Sequence, residues 1–270
     1  MIKGENPKVS VIIACHNGEA YIDQCLNSIV NQTYKNLEIL ICDDASEDCS
    51  REQIRKWRKR DNRIRLFCSR RQIFPAGARN ACIKKSTGQF LVIQDVDDIS
   101  KLNRIETLLN ELLREPNIDF VSSTMNSFES KPQKNSRILK VGKEYPTKFD
   151  FLWGQPFNHP ATMFRRECVI KTGGYHLGKN TARGEDYDLF MRLYASGFKG
   201  KNITVPLYWY RLDKYNLKRR TFTSRINEIG IRFRGYRKLG ISIRGIPFLF
   251  KPIVSYVVQL FRYNQMNTEE

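Results

Sequence analysis

The sequence predicts an α/β fold in which helices cover both faces of a mostly parallel central sheet. Short apolar runs bounded by turn residues alternate with longer segments of helical spacing, which is the pattern of strands joined by crossover helices. The apolar runs are nearly continuous in Val, Ile and Leu, as expected of strands buried on both faces. The chain has 270 residues, of which 41% are hydrophobic, so it is long enough to bury a full core.

The order of the elements follows from these patterns. The first hundred residues predict four strands, at 8–14, 37–42, 63–69 and 89–94, separated by helical segments at 20–32, 51–60 and 78–86. Further along, the sequence predicts a helix at 102–115, a strand at 118–124, a loop or irregular hairpin at 127–148, and a helix through Leu189, Phe190 and Leu193.

Composition narrows the partners and the compartment. The formal net charge of +18 favours anionic partners, namely nucleic acid, anionic lipid headgroups or phosphorylated substrates. The seven cysteines form no CxxC pair, which is typical of reduced, buried, structural thiols in a cytosolic protein. The N-terminus shows no signal pattern and no apolar run reaches about 18 residues, so we expect a cytoplasmic location.

Three motifs follow predicted strands: CHNGE after the first, DDAS after the second and DVDD after the fourth. In open α/β sheets, ligands bind beyond the carboxyl ends of the strands, where the strand order reverses. We therefore expect the three motifs to converge on one crevice. A dinucleotide dehydrogenase would need a glycine-rich first turn, and ACHNGEA has a single glycine.

The stretch FLVIQDVDDIS places Asp95, Asp97 and Asp98 at the end of an apolar run. Carboxylates crowded there repel one another and lose hydration, which a bound cation would relieve. Mg²⁺ and Mn²⁺ take oxygen ligands and often bridge carboxylates to substrate phosphates. The alternative is an acidic helix start, with Asp98 or Ser100 as the N-cap of the following helix.

Asp43 and Asp44 in DDAS have a similar pair of interpretations. Asp-Asp-x-Ser is a good turn and N-cap sequence. A carboxylate fixed at this strand end would instead accept the imide N–H of uracil, a donor that cytosine lacks. A base-binding carboxylate beside a metal-phosphate site would describe a nucleotide-sugar site.

Three further residues or pairs are candidates on weaker signals. Glu185 and Asp186 stand where a loop enters a helix, either as an acidic first turn or with Asp186 as a general base. Arg79 stands at the entry of the helix before DVDD, either as a solvated charge or as a diphosphate contact. His159 beside a proline is either structural or a contact at the acceptor or metal site.

In order and spacing, several segments resemble the family 2 inverting glycosyltransferases of the GT-A fold. The resemblance covers roughly residues 7–212, in the segments PKVSVIIACHN, LNSIVNQTYKNLEILICDDAS, GARNACIKKSTGQFLVIQDVDD, HPATMFRRECVIKTGGY and RGEDYDLFMRLYASG. It implies a GT-A domain at 1–213, with a nucleotide-binding half at about 7–100 and an acceptor half at about 101–213. Residues 214–270 are then a basic, amphipathic helical extension.

The resemblance also implies chemistry. The donor would be a nucleotide-diphospho-sugar, usually a UDP-sugar, used with a divalent cation. Asp44 and Asp43 would contact uracil, Arg79 would lie near the nucleotide, and Asp186 would be the catalytic base. Asp95, Asp97 and Asp98 would take the ribose and metal positions, with Asp97 and Asp98 as metal ligands.

Two positions depart from the family pattern. His16 stands where the family commonly has an aromatic residue before Asn, which affects stacking near the base. Asp213 replaces the histidine of the family's Tyr-Arg-x-His, which affects the lid and a contact to diphosphate.

The basic extension lies outside the resemblance. It holds 12 Lys and Arg against 3 acidic residues, half of the net charge. It is expected either to pack on the domain or to contact an anionic membrane surface at the inner face of the cell membrane, where a lipid-linked glycan acceptor would lie.

Two rivals explain less of the sequence. A nucleotidyltransferase would want a glycine- and lysine-rich loop near the first strand, which CHNGEAY lacks. A nucleic-acid-binding protein would explain the charge but not aspartates in the crevice, because these repel phosphate. The leading interpretation is an inverting glycosyltransferase of cell-surface polysaccharide or lipid-linked oligosaccharide synthesis.

Overall fold

A computed structural model describes residues 6–133, 136–178, 184–212 and 222–257, except for the side chain of Arg244. Its strands are β1 Val9–Cys15, β2 Leu37–Asp43, β3 Ile64–Cys68, β4 Phe90–Asp95, β5 Ile99–Ser100, β6 Phe120–Phe128, β7 Ile138–Leu139, β8 Thr162–Arg165 and β9 Gly200–Arg211. Its helices are α1 Ile22–Val30, α2 Ser50–Arg60, α3 Phe74–Lys85, α4 Arg104–Arg114, α5 Arg166–Lys171, α6 Glu185–Ala195, α7 Phe222–Lys238 and α8 Ile246–Leu249.

The described strands form one sheet with the order β3-β2-β1-β4-β8-β6-β9-β5, and β7 pairs with β6. β1 to β4 are parallel to one another, whereas β8 is antiparallel to both β4 and β6. The strand order reverses between β1 and β4, because β2 and β3 lie on one side of β1 and β4 lies on the other. A crevice is therefore expected at the carboxyl ends of β1 and β4.

Both faces of the sheet are buried, as the continuous apolar runs predict. On β1, Val9, Val11 and Ile13 join the core beneath α1 and α4, whereas Ile12 joins a second core beneath α3 and α6. This alternation follows from the period of two of a strand, with each face covered by helices.

The predicted α/β fold with a mostly parallel central sheet is confirmed, and each of the first four strands lies within two residues of its predicted bounds. The stretch 127–148 contains the end of β6 and its short hairpin partner β7. The prediction that the thiols are buried is wrong for Cys49 and Cys68, which are exposed. The sheet runs without a break across both proposed halves of 1–213, so that division stays a prediction.

The C-terminal extension is helical where it is described. α7 packs on α6, and residues 251–257 are also helical. Asp213, predicted to alter a lid, lies outside the described residues, as do 214–221 and 258–270 of the extension. In the part of the chain that the structure describes, no helix is both long enough and apolar enough to cross a membrane.

Candidate functional site

A cleft of about 340 Å³ opens at the carboxyl ends of β1, β2 and β4. Its lining brings together residues from all three motifs, with Pro75 and Arg79 of α3 on a further side: Ala14, Cys15, His16, Asn17, Tyr21, Asp44, Pro75, Arg79, Asp95, Val96 and Asp97. The predicted convergence of CHNGE, DDAS and DVDD on one crevice is therefore observed.

Hydrogen bonds join the turn after β1 to the turn after β2. The backbone N–H of Asp44 donates to the carbonyl of Cys15 at 2.7 Å, and the Nδ1 of His16 lies 2.7 Å from the carbonyl oxygen of Asp44. A carbonyl only accepts, so His16 Nδ1 carries the proton in this bond. Asn17 and Ala45 have positive φ, a conformation costly for residues with a Cβ and often held at functional sites.

The two aspartates of DDAS have different surroundings. Asp43 is fully buried and does not line the cleft, because its Oδ2 accepts a hydrogen bond of 2.6 Å from Arg51 of α2. Asp44 lines the cleft and its Oδ1 accepts the backbone N–H of Ile73 at 2.7 Å. The Oδ2 of Asp44 is buried and accepts no hydrogen bond from the described residues. Only Asp44 of the pair is placed where a base could reach it.

Arg79 links two acidic motifs that are far apart in sequence. Its Nη2 donates to Asp95 Oδ1 at 2.7 Å, and its Nη1 lies 3.3 Å from Glu185 Oε1. Burial opposes ionisation of Asp95, but the surrounding positive charges, with the Arg79 guanidinium first among them, together outweigh it and lower the pKa of that carboxyl. The Arg79 side chain is only 9% exposed. The predicted diphosphate contact would therefore compete with two carboxylates that already hold the guanidinium.

Asp97 and Asp98 also diverge. Asp97 lines the cleft, whereas the buried Asp98 accepts the backbone N–H of Arg211 on β9 at 2.7 Å and lies outside the lining. Burial, followed by repulsion from Asp97 and Asp95, raises the pKa of Asp98 well above its usual range. The alternative interpretation as an N-cap is wrong, because α4 begins at Arg104, and neither Asp98 nor Ser100 caps it.

A buried arginine forms hydrogen bonds beneath the turn that follows β4. Arg104 donates to the carbonyls of Ile93 and Pro160 and to the side chains of Gln94 and Ser100. Burial lowers its pKa to about 10, so it remains a cation at neutral pH. A positive charge is therefore fixed beneath the strand end that carries the aspartates.

Asp186 lies in the first turn of α6, next to the Glu185 that contacts Arg79. Its Oδ1 accepts the backbone N–H of Tyr187 at 2.8 Å, and its Oδ2 accepts a bond of 3.2 Å from Gln155 Nε2. Burial, and then repulsion from Glu185, raises the pKa of Asp186 above its ordinary value. The carboxyl is thus shifted toward the range in which a general base works.

His159 is buried beside this carboxyl rather than in the cleft. Its Nε2 lies 2.6 Å from the hydroxyl of Tyr175, whose backbone is held by Asn80 of α3. Burial, and then the Arg79 charge, lowers the pKa of His159 to about 4, so the ring is neutral at pH 7. This geometry favours a structural role, and the predicted acceptor or metal contact stays untested.

The acidic side of the cleft fits a divalent cation that shares its ligands with a phosphate. Asp95 and Asp97 line the cleft, and the repulsion that raises the pKa of Asp98 is what a cation would relieve. Within the described ranges, no three His, Cys, Asp or Glu side chains surround a common point. The protein would supply one or two carboxylates and a bound phosphate the remaining ligands, a common arrangement for Mg²⁺.

Residues of the site that sequence reasoning missed are Arg51, Arg104, Gln155 and Arg211. Each of these side chains either contacts a residue far away in the sequence or has no recognisable motif around it. The only signal available was that a buried carboxylate needs a counter-charge, which does not say which of 46 Lys and Arg residues supplies it.

Comparisons with known proteins agree with this architecture. The chain is 31% identical over 249 residues to the putative glycosyltransferase EpsE of Bacillus subtilis, an alignment that covers 92% of this chain and 88% of that protein. It is 28% identical over 265 residues to the Escherichia coli UDP-Gal:alpha-D-GlcNAc-diphosphoundecaprenol beta-1,3-galactosyltransferase, covering 95% and 91%.

A solved structure shares the fold. The mannosyltransferase PcManGT of Pyrobaculum calidifontis, in complex with GDP-Man and Mn²⁺, superposes with a TM-score of 0.66 and 16% identity, covering 98% of this chain and 81% of that one. Residues 10–173 match the family described as Glycosyl transferase family 2, which is more than half of the chain. This chain therefore belongs to glycosyl transferase family 2 and has its GT-A-like fold.

Proposed function

We propose that this glycosyltransferase moves a sugar from a nucleotide-diphospho-sugar to a hydroxyl acceptor in one displacement that inverts the anomeric carbon. The observation that carries the proposal is the meeting of three strand-end motifs in one cleft, with acidic residues at the reversal of strand order. A crevice in that position suits a nucleotide, and its carboxylates suit a metal-bound diphosphate.

Uracil is the proposed base. Asp44 presents a buried carboxylate oxygen that accepts nothing from the described residues, and the imide N–H of uracil is a donor of the right kind. The name of the Escherichia coli relative, which uses UDP-Gal, supports a UDP-sugar, whereas the archaeal structure holds GDP-Man. Asp43 contributes by holding Arg51 rather than by meeting the base.

A divalent cation, Mn²⁺ or Mg²⁺, is the proposed cofactor. Asp97 would hold it, with Asp95 facing the same cleft, whereas Asp98 lies outside the lining with its Oδ1 on the N–H of Arg211 and would join only through its Oδ2. When bound, such an ion neutralises charge on the diphosphate leaving group. The Mn²⁺ present in the archaeal structure supports this choice of ion.

Asp186 is the proposed general base. In its ionised form it would take the proton of the acceptor hydroxyl while the hydroxyl oxygen bonds to the anomeric carbon and the bond to the diphosphate breaks. The buried position that raises its pKa also strengthens it as a base. An α-linked donor sugar would then give a β-linked product.

The proposed acceptor is a glycan or a lipid-linked glycan, in the synthesis of a cell-surface polysaccharide or lipid-linked oligosaccharide. The diphosphoundecaprenol acceptor in the name of the Escherichia coli relative supports it. Such an acceptor lies in a bilayer, so we also propose that the enzyme works peripherally at the inner face of the cell membrane.

The test is calorimetric titration of UDP, CDP and GDP into the purified protein, first with Mn²⁺ and then with EDTA. Tight binding of UDP alone, abolished by EDTA, is expected. Tight binding of GDP in place of UDP would refute the role of Asp44 in choosing uracil. Equal binding with and without EDTA would refute the cation.

A further inference from the structure

The C-terminal extension presents an apolar surface to solvent. Five of its apolar side chains, which we name the docking face, are between 47% and 78% exposed: Phe233, Ile243, Ile246, Phe250 and Val254. Phe233, Ile243 and Ile246 also line a groove of about 300 Å³ between α7 and α8. Side chains of this size normally face a core or a partner, so exposed apolar side chains grouped around one groove indicate an interaction surface.

The same segment is strongly basic. Residues 222–257 hold seven Lys and Arg against one acidic residue, Glu228. Glu228 is already engaged by Arg225 and Arg232, at 3.2 Å and 3.0 Å. Arg237 and Lys238, on the last turn of α7, are exposed, and Arg237 lines the groove next to the apolar side chains. The patch therefore combines apolar side chains with uncompensated positive charge.

We propose that the docking face inserts into the headgroup region of an anionic lipid bilayer. Apolar side chains buried in the interface, with basic residues beside them for anionic headgroups, are the two components of binding by a monotopic helix. A nucleic-acid surface would use the positive charge but leave the phenylalanines and isoleucines in water. The combination of positive charge with exposed apolar side chains therefore favours an anionic lipid surface.

The extension packs against the side of the molecule that carries Asp186. Gly235 of α7 packs so closely on α6 that a Cβ there would lie 2.2 Å from the sulfur of Met191. Lys251 donates to the carbonyl of Trp153, two residues before the Gln155 that contacts Asp186. The extension that carries the docking face therefore contacts both α6 and the segment at 153–155, which also position the proposed base. That a lipid-linked acceptor meets the base there rests on the proposed function.

The test is flotation of the full chain with vesicles of phosphatidylcholine alone or of equal parts phosphatidylglycerol and phosphatidylcholine. We expect flotation with the anionic vesicles. The triple variant Phe233→Ser, Ile243→Ser, Ile246→Ser should lose at least about tenfold in lipid partitioning, because a single such side chain contributes about that factor when removed from water. The matched control is Ile138→Ser, Ile170→Ser, Val205→Ser, which changes three apolar residues elsewhere that are 45% to 53% exposed.

A second pair of variants tests the charge. Arg237→Ala with Lys238→Ala should lower partitioning into anionic vesicles by about 25-fold, at about fivefold per basic residue near the surface. Arg58→Ala with Lys59→Ala removes the same charge from exposed positions on α2 and should leave it unchanged. High salt should likewise lower the partitioning of the unsubstituted chain into anionic vesicles, as the substitutions at Arg237 and Lys238 do.

Absence of flotation in the wild type would overturn the proposal, as would equal loss in each variant and its control. A dimer that appears in sedimentation and is lost in the apolar triple, without flotation, would also overturn it and make the face a contact with a second copy. UDP titration of the same preparation separates the two proposals. UDP binding without flotation removes only the docking face, whereas flotation without UDP binding removes only the nucleotide site.

Discussion

Gln155→Ala should move the acidic limb of the pH–rate profile to higher pH. The amide Nε2 of Gln155 donates to Asp186 Oδ2 at 3.2 Å, and this bond favours the carboxylate over the carboxylic acid. At that length, on a partly buried group, the bond is worth about 1 kcal/mol, which is typical of a protein hydrogen bond and below the range for shorter bonds to a charge. Since one pKa unit is about 1.4 kcal/mol, the pKa of Asp186 should rise by about 0.7 unit.

The sign follows from the proposed role. A base must be ionised, so kcat/KM falls as the pH drops through the pKa of Asp186, which burial already raises above 3.8. In the variant this fall begins at higher pH, while the rate at the plateau changes little. The assay is kcat/KM for sugar transfer between about pH 4 and pH 8. Gln89→Ala, an exposed amide outside the cleft, is the matched control.

Two results would refute this reasoning. An acidic limb that does not move, with kcat/KM lowered equally at every pH, would mean that Gln155 supports the site without acting on the ionisation of Asp186. A wild-type profile with no acidic limb above 3.8 would remove Asp186 as the titrating base.

Four further substitutions separate the roles of three acidic residues and of Tyr175. Asp186→Asn should keep nucleotide affinity in calorimetry but lose turnover by about 10² to 10⁴, and near-normal turnover would contradict its role as base. Asp97→Ala should abolish Mn²⁺-dependent UDP binding, whereas Asp98→Asn should raise the free energy of unfolding without metal at pH 7 by on the order of 1 kcal/mol. It removes a buried like charge yet keeps an acceptor, and an unchanged urea midpoint would contradict this. Tyr175→Phe should cost about 1–3 kcal/mol in urea unfolding, because the Nε2 of His159 stays buried without its partner, and a cost near zero would contradict it.

The sequence could predict the strands and the crevice because both follow from local patterns. An apolar run such as 90–95 has the composition of a doubly covered strand, and the motif after it must emerge at the carboxyl end. The sequence therefore predicted strand-end positions for Asp44, Asp95 and Asp97 around one crevice, and all three line the cleft. The family match adds the fold as a whole, since it spans residues 10–173.

The direction in which each carboxylate points could not be predicted in this way. Asp97 and Asp98 are neighbours, yet one faces the cleft and the other accepts an N–H from Arg211, which lies 113 residues further along the chain. Asp43 likewise points away from the cleft, because it forms an ion pair with Arg51 in the first turn of the following helix, α2. These outcomes depend on where a distant strand or helix places a single donor, and no spacing rule carries that information.

The balance of charge in the crevice leaves a role for the proposed cation although arginines are present. Arg79 lies between Asp95 and Glu185, and its charge is used by those two carboxylates. Arg104 lies beneath the strand end, but it does not reach Asp98, whose pKa remains raised. The repulsion from Asp97 and Asp95 that raises this pKa therefore persists, and a diphosphate in the cleft that Asp95 and Asp97 line would add more negative charge. A divalent cation would relieve both, and binding of nucleotide and of metal should each strengthen the other.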